Sequence, residues 1–321
     1  MKHAFSYLFL AAASLAQAQY WEPLGLEGKT ITAMYFYDAP RILYAATENE
    51  GVFRRAINAD SGWVHINIPA QKLNAIHAFH TFCPLRCWKG ILAGATRNEA
   101  AGDSALIYFY QQRPDSCPQP GAWLASDSGL TRPSTQQINA FAGSAVCYPI
   151  GPEYVTVFAG GREFIGRSLD RGKSWQTVWH IPNAEVFTLF SHRRKFGALS
   201  STVEEVIAEE SIWAGGTVRE SGINRPFISY SFDFGKNWQD RSPQNFPGEV
   251  CRALAVDHAD TNFIIAALNT RIVKSHNGGL NWSAASLPDL IVQFDALAIN
   301  PLDAQHVLAG GTLSGQYFLL Y

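Results

Sequence analysis

Apolar residues in this chain fall into short runs with alternating or continuous character, separated by turn residues. Six runs end in Ala-Gly or Ala-Ala: "ILYAAT" (42–47), "ILAGAT" (91–96), "VFAGG" (157–161), "IWAGGT" (212–217), "IIAAL" (264–268) and "VLAGGT" (307–312). Their alanines, Ala45, Ala93, Ala159, Ala214, Ala266 and Ala309, recur about 43 to 66 residues apart, the spacing of a repeat architecture. An apolar run precedes each one ("ITAMYFY", "LNAIHAF", "INAFAG", "VFTLF", "CRALAV", "FDALAI"), and most are followed by a third ("GVFRR", "ALIYFY", "FIGRS", "FISYS", "RIVKS"). A turn and a Trp then close the unit. The pattern predicts four short strands per unit, with no helical period of comparable strength.

The tryptophans count the units a second way. Trp21, Trp63, Trp123, Trp175, Trp238 and Trp282 fall at unit ends, and the last unit stops at "QYFLLY" without one. Trp21 lies ahead of the first complete unit, so "YWEPLGL" supplies a fourth strand to the last sheet and closes a ring without open edges. The expected fold is all-β: a six-bladed β-propeller of four-stranded blades. The long interval between Ala93 and Ala159 leaves room for a degenerate seventh; the polar, turn-rich "SDSGLTRPSTQQ" inside it reads instead as long loops.

"SLDRGKSW" (168–175) and "SFDFGKNW" (231–238) share Ser-x-Asp-x-Gly-x-x-Trp, and "SHNGGLNW" (275–282) repeats it with Asn277 for the Asp. "INADSGW" (57–63) and "ASDSGL" (125–130) read as degenerate copies. The full copies resemble the Asp-box, or bacterial neuraminidase repeat, of sialidases, the sortilin ectodomain, some xyloglucan-cleaving glycosidases and photosystem II assembly factors. The resemblance implies a propeller with each box on a strand 3 to strand 4 turn, on the face away from the usual ligand site. The residues themselves support a structural role. Asp170 and Asp233 can accept hydrogen bonds within their turns, Gly172 and Gly235 permit positive φ, and Trp175 and Trp238 wedge between sheets. Ser168, Ser231, Ser275, Gly279 and Trp282 complete the set.

Lys2 and His3, the apolar run Phe5–Ala13 and the small-x-small Ala16-Gln17-Ala18 predict a signal peptide over 1–18. Residues 19–321 then form one propeller domain, secreted or periplasmic, with no segment for stable membrane insertion. The formal net charge of −2 argues against nucleic acid as a partner. In an oxidising compartment the five cysteines make one or two disulfides. Cys83 and Cys87 pair with each other, or either reaches Cys117; the odd count leaves one of the set, which includes Cys147 and Cys251, free or bonded to another chain.

Chemistry is harder to place. Charged residues gather on the strand 2 to 3 loops: Glu48 and Glu50, then Arg97 and Glu99, Arg162 and Glu163, and Arg219, Glu220 and Arg225. Arginines from three consecutive blades either grip an acidic ligand, as the arginine cluster of sialidases does, or pair with neighbouring glutamates as a solvated rim. A sialidase's Phe-Arg-Ile-Pro stretch has only "APRILY" as a counterpart, which reads as the turn into a strand, and no catalytic residue can be assigned. His77, His80, Cys83 and Cys87 have spacing similar to metal ligands, but a disulfide loop fits an exported chain better, and Cys87-Trp88 rules out the haem-attachment pattern. No metal or cofactor is assigned. The insert 191–211 is either a partner-docking element or a tolerated loop, and "NWS" (281–283) is a formal glycosylation sequon. The expectation is therefore a non-enzymatic scaffold for a protein or peptide, with a sialidase-like glycoside hydrolase or glycan-binding domain as the alternative.

Overall fold

A computed structural model describes residues 25–37, 41–57, 62–69, 72–83, 86–97, 105–112, 121–130, 137–146, 154–193, 210–285, 292–300, 303–304, 306–313 and 316–320. The predicted signal peptide and the ring-closing segment up to residue 24, and the insert over 194–209, lie outside these residues. Five antiparallel sheets follow one another, each a meander in chain order. The first holds β1 (Ile31–Tyr37), β2 (Ile42–Thr47), β3 (Val52–Ala56) and β4 (Val64–Ile66); the second holds β5 (Leu73–Cys83), β6 (Arg86–Ala95), β7 (Ile107–Gln112) and β8 (Trp123–Ala125). The third has six strands: β9 (Ile138–Val146), β10 (Tyr154–Ser168), β11 (Gln176–Arg193), β12 (Glu210–Glu220), β13 (Ile223–Ser231) and β14 (Gln239–Asp240). The fourth comprises β15 (Ala253–Val256), β16 (Ile264–Ala267), β17 (Ile272–Ser275) and β18 (Ser283–Ala284), and the fifth β19 (Val292–Ile299), β20 (Val307–Leu313) and β21 (Gln316–Leu320). The architecture is an all-β propeller.

Among the described residues the expected six sheets of four are thus seen as five, because two predicted units merge through β10 and β11. A straight run from Val155 to Asp170 would span about 50 Å, yet these residues form a β-bridge, so β10 folds back on itself. Glu163, at φ 62°, marks the reversal. The first part of β11 pairs with β10 and the second with β12, with Asn183 at φ 59° between them. Backbone pairing that continues through both bends joins what the sequence pattern separates.

One device packs the sheets against each other. The first strands of four sheets, β1, β5, β9 and β19, and β11 within the six-stranded sheet, carry a register shift: between Ile31 and Ala33, Leu73 and Ala75, where β9 meets Gly160 and Gly161, between Phe294 and Ala296, and between Val186 and Thr188. In β1, β5, β11 and β19 such a bulge puts residues three apart on one face, which regular alternation would not. The resulting pairs insert over the Ala-Gly of the preceding unit. A Cβ on Gly94 would sit 2.7 Å from Ile138, and one on Gly160 would sit 2.6 Å from Val186 and 3.2 Å from Leu189. Small residues are required there because the neighbouring side chains already fill the space. Five buried clusters result, each spanning two successive units, from Tyr44 with Ile76 to Ile265 with Phe294.

The three Ser-x-Asp/Asn-x-Gly-x-x-Trp turns join β10 to β11, β13 to β14 and β17 to β18. Ser168 Oγ donates to Asp170 Oδ1 and accepts from Gly172 N, both at 2.8 Å, while Asp170 Oδ1 also accepts from Ser174 N at 2.8 Å. Ser231, Asp233, Gly235 and Asn237 repeat these bonds, and so do Ser275, Asn277, Gly279 and Asn281. Asn277 serves because only its carbonyl oxygen is needed. The expected degenerate copy "ASDSGL" is a correction: it follows β8 and leads towards β9, so it is not a strand 3 to 4 turn. Asp-Ser-Gly imitates the motif's turn chemistry without its place in the sheet.

Candidate functional site

The predicted rim residues have different surroundings. Arg97 donates from Nη2 to Asp127 Oδ2 at 3.2 Å, and the two side chains are only 11% and 9% exposed. Asp127 Oδ2 also accepts from Leu106 N at 3.0 Å, so this pair ties the β6–β7 end to the segment after β8. Arg162 is exposed and lies across from Glu185, while Glu163 accepts from Asn183 N at 2.9 Å. Arg219 donates from Nε to Gly222 O at 3.4 Å. It alternates with Glu220 along β12 and therefore faces the other side of the sheet. Glu220 faces Arg225, with Oε2 3.3 Å from Nε. Glu99 lies outside the described residues.

Glu220 and Arg225 stand at one end of a cavity of about 470 Å3, which neither Arg97, Arg162 nor Arg219 lines. Its origin is a break in the outer edge of the β12–β13–β14 sheet. Ile228 turns both backbone groups outward: its O accepts from Arg241 N at 2.8 Å and its N donates to Ser242 Oγ at 3.0 Å. Four residues back, Asn224 O accepts from Gly248 N at 2.8 Å. Between these anchors the chain leaves the sheet as Ser242-Pro243-Gln244-Asn245-Phe246-Pro247, with Asn245 at φ 69°. Neither proline has an N–H to give a ladder, and Pro226, facing them from β13, has none either. The edge cannot close on itself, and a cleft remains.

Strand alternation fixes the walls. Val218 and Glu220 on β12 share a face with Arg225, Phe227 and Ser229 on β13. Opposite them are Trp179 and Ile181 from the first half of β11, and Phe246, Pro243 and Pro247 close the outside. Trp179 is held by a parallel stack on Trp238, 4.5 Å between centroids, and meets Phe227 edge-on at 6.2 Å. Asp240 stands at the far end, its Oδ1 accepting from Ser242 N at 2.9 Å. The volume falls in the range of small-ligand and side-chain pockets, and the lining is mixed: aromatic and proline side chains share it about evenly with polar groups such as Glu220, Arg225, Asp240 and Gln244. Sequence reasoning missed Trp179, Phe227 and Phe246. The available signal was that Trp179 is one of three tryptophans off the unit-end pattern, accompanied by prolines directly after a short fourth strand.

Of the sequence-predicted metal-like set, His77 is fully buried, edge-on to Tyr35 at 4.7 Å, and burial pushes its pKa down to about 4. The side chains of His80, Cys83 and Cys87, and all of Cys117 and Cys147, lie outside the described residues. Cys251 is a free thiol in the core, and burial raises its pKa to about 12, which leaves it protonated and unreactive at neutral pH. Among the described residues no group of three His, Cys, Asp or Glu could hold a metal, and no helix is long and apolar enough to cross a membrane.

No family model and no curated protein matches this chain. Solved structures do match in fold. YCF48 from Cyanidioschyzon merolae is 10% identical at a TM-score of 0.50, over 87% of this chain and 78% of that one. U3-55K is 8% identical at 0.55, over 90% and 76%. A GH74 xyloglucanase from Xanthomonas campestris is 13% identical at 0.50; the match covers 94% of this chain but 53% of that one. At these identities the likeness is one of fold, shared by proteins of unrelated activity.

Proposed function

We propose that this chain is an exported, non-enzymatic β-propeller that binds a protein or peptide partner in the cleft between β11 and β13. The observation that carries the reading is the cleft itself: an aromatic and proline-lined gap with a charged pair at its mouth, on a rigid sheet. Buried aromatic anchors ringed by polar groups are the usual energetic centre of a protein interface. Hydrolysis fits the same cleft poorly. Its carboxylates, Glu220 and Asp240, lie at the levels of Ile223 and Ser229 on β13. That is about 20 Å of strand, against the roughly 5–9.5 Å between the carboxyl groups of a glycosidase. The direct test is selection of a linear peptide library on residues 19–321, followed by titration of binders against Trp179→Ala and Arg225→Ala. Binders that lose at least tenfold affinity on Trp179→Ala support the reading; failure to select any binder removes it.

The finer architecture belongs to the same proposal. Division of the six-stranded sheet at Asn183 gives two four-stranded units, six in all, and the three hydrogen-bonded Ser-Asp-Gly-Trp turns fit the Asp-box repeat. Ile31 and Met34 are spaced like Leu73 and Ile76 across the same bulge, but are 38% and 66% exposed where the latter are 0% and 6%. They are the key for the slot at Ala309-Gly310, which closes the ring between last and first units. Cleavage after Ala18 and a secreted or periplasmic location complete the account; N-terminal sequencing of the exported protein checks both.

A further inference from the structure

We infer that the cleft takes its partner as an added β-strand: an extended peptide that donates a backbone N–H to the Pro226 carbonyl and lays an apolar side chain against Phe227 and Trp179. This rests on the cleft being the binding site and specifies how it binds. Backbone groups along one strand point alternately to its two sides. Asn224 and Ile228 both offer their carbonyls to the outer edge of β13, where Gly248 N and Arg241 N take them. Pro226 lies midway, so its carbonyl points the same way, into the gap that 242–247 leaves. The gap runs from residue 224 to residue 228, about 13 Å, the length of four extended residues. An incoming strand therefore continues the ladder that β14 abandons after Asp240.

The site also explains why this edge carries prolines. An interrupted edge with free donors and acceptors would pair indiscriminately with other chains. Pro226 keeps an acceptor while removing the donor, so an incoming strand must bring the N–H and also fit the aromatic wall. Main-chain bonding supplies affinity and the pocket supplies selectivity, the division of labour in strand addition. Asp240, whose Oδ1 accepts from Ser242 N, stops the native strand from extending further.

The test uses a peptide selected on the whole mature chain and an N-methyl scan along it, read by calorimetry. Strand addition expects one N-methyl position to lower affinity at least tenfold while its immediate neighbours have little effect, and Trp179→Ala to weaken the unmethylated peptide comparably. Arg225→Ala, exposed at the mouth, serves as a variant that leaves the core untouched and shifts affinity less. A binder that tolerates N-methylation at every position but still depends on Trp179 overturns strand addition and leaves the cleft as the site. A binder indifferent to both overturns the cleft as well, and a library without binders overturns both readings together.

Discussion

Trp175 Nε1 donates to Ser126 O at 2.6 Å, joining the turn after β10 to the end of the preceding unit's last strand. The same contact recurs where Trp282 Nε1 donates to Arg241 O at 2.8 Å. Trp175 and Trp282 therefore lock neighbouring units edge to edge, whereas Trp238 Nε1 donates within its own turn to Gly235 O, and Trp282 fixes the residue from which the cleft's connector departs. Trp175→Phe retains most of the ring but orphans a buried carbonyl, at a cost of about 1–3 kcal/mol. Trp175→Ala also leaves a cavity and is expected to cost about 3–5 kcal/mol in urea unfolding. A Trp175→Phe variant as stable as the parent chain would contradict a role for the hydrogen bond.

The Asp of each turn is replaceable by Asn but not by Ala. Burial raises the Asp170 pKa, yet bonds from Ser174, Ser168 and Lys173 outweigh it and hold the carboxyl below its ordinary value. Its stabilising effect is present above the unfolded-state pKa near 3.8 and lost as pH falls below it. Asp170→Asn, imitating Asn277, is expected to cost under about 1 kcal/mol at pH 7 and to flatten stability below pH 4, while Asp170→Ala loses several bonds and costs about 1–3 kcal/mol. Chemical denaturation from pH 3 to 7 separates the two.

His77 acts in a different pH window. Unfolded, it takes a proton near pH 6.5; folded, only near 4. Between those values the unfolded chain holds more protons, so stability is full above about 6.5 and falls as pH drops towards 4, by about 3 kcal/mol at most. His77→Leu is expected to remove that slope. An unchanged slope in the variant would show that other groups carry it.

The seams predict size limits at two glycines. Gly94→Val and Gly160→Val place methyl groups where Ile138 and Val186 already sit, and each is expected to cost about 1–3 kcal/mol through overpacking. Met34→Asp discriminates more sharply for the ring: closure over Gly310 makes it destabilising by a similar amount, whereas a residue permanently 66% exposed would tolerate it within about 0.5 kcal/mol. Thermal melts of the three variants report both.

Much of the fold was legible because its causes are local. Alternating apolar runs mark strands, the Ser168-x-Asp170-x-Gly172 spacing marks a turn whose bonds stay within five residues, and Ala-Gly marks the slot for the next unit. The merging of two units through β10 and β11 was not legible, since it depends on backbone pairing through Glu163 and Asn183. The site was less legible still. Counting charges pointed to Arg97, whose partner Asp127 lies 30 residues away and buries it. The cleft instead arises from a ladder that three prolines fail to complete, and its chief wall, Trp179, arrives from another part of the chain.

The central claim is that this cleft holds the partner, and photo-crosslinking tests it most directly. A selected peptide carrying a photoreactive apolar residue is irradiated with residues 19–321 and the adducts are mapped by mass spectrometry. The account expects adducts on residues 225–229, 242–247 and Trp179. Adducts concentrated on the turns at Asp170, Asp233 and Asn277, or around Arg97 and Arg162, would contradict it and move the binding surface elsewhere.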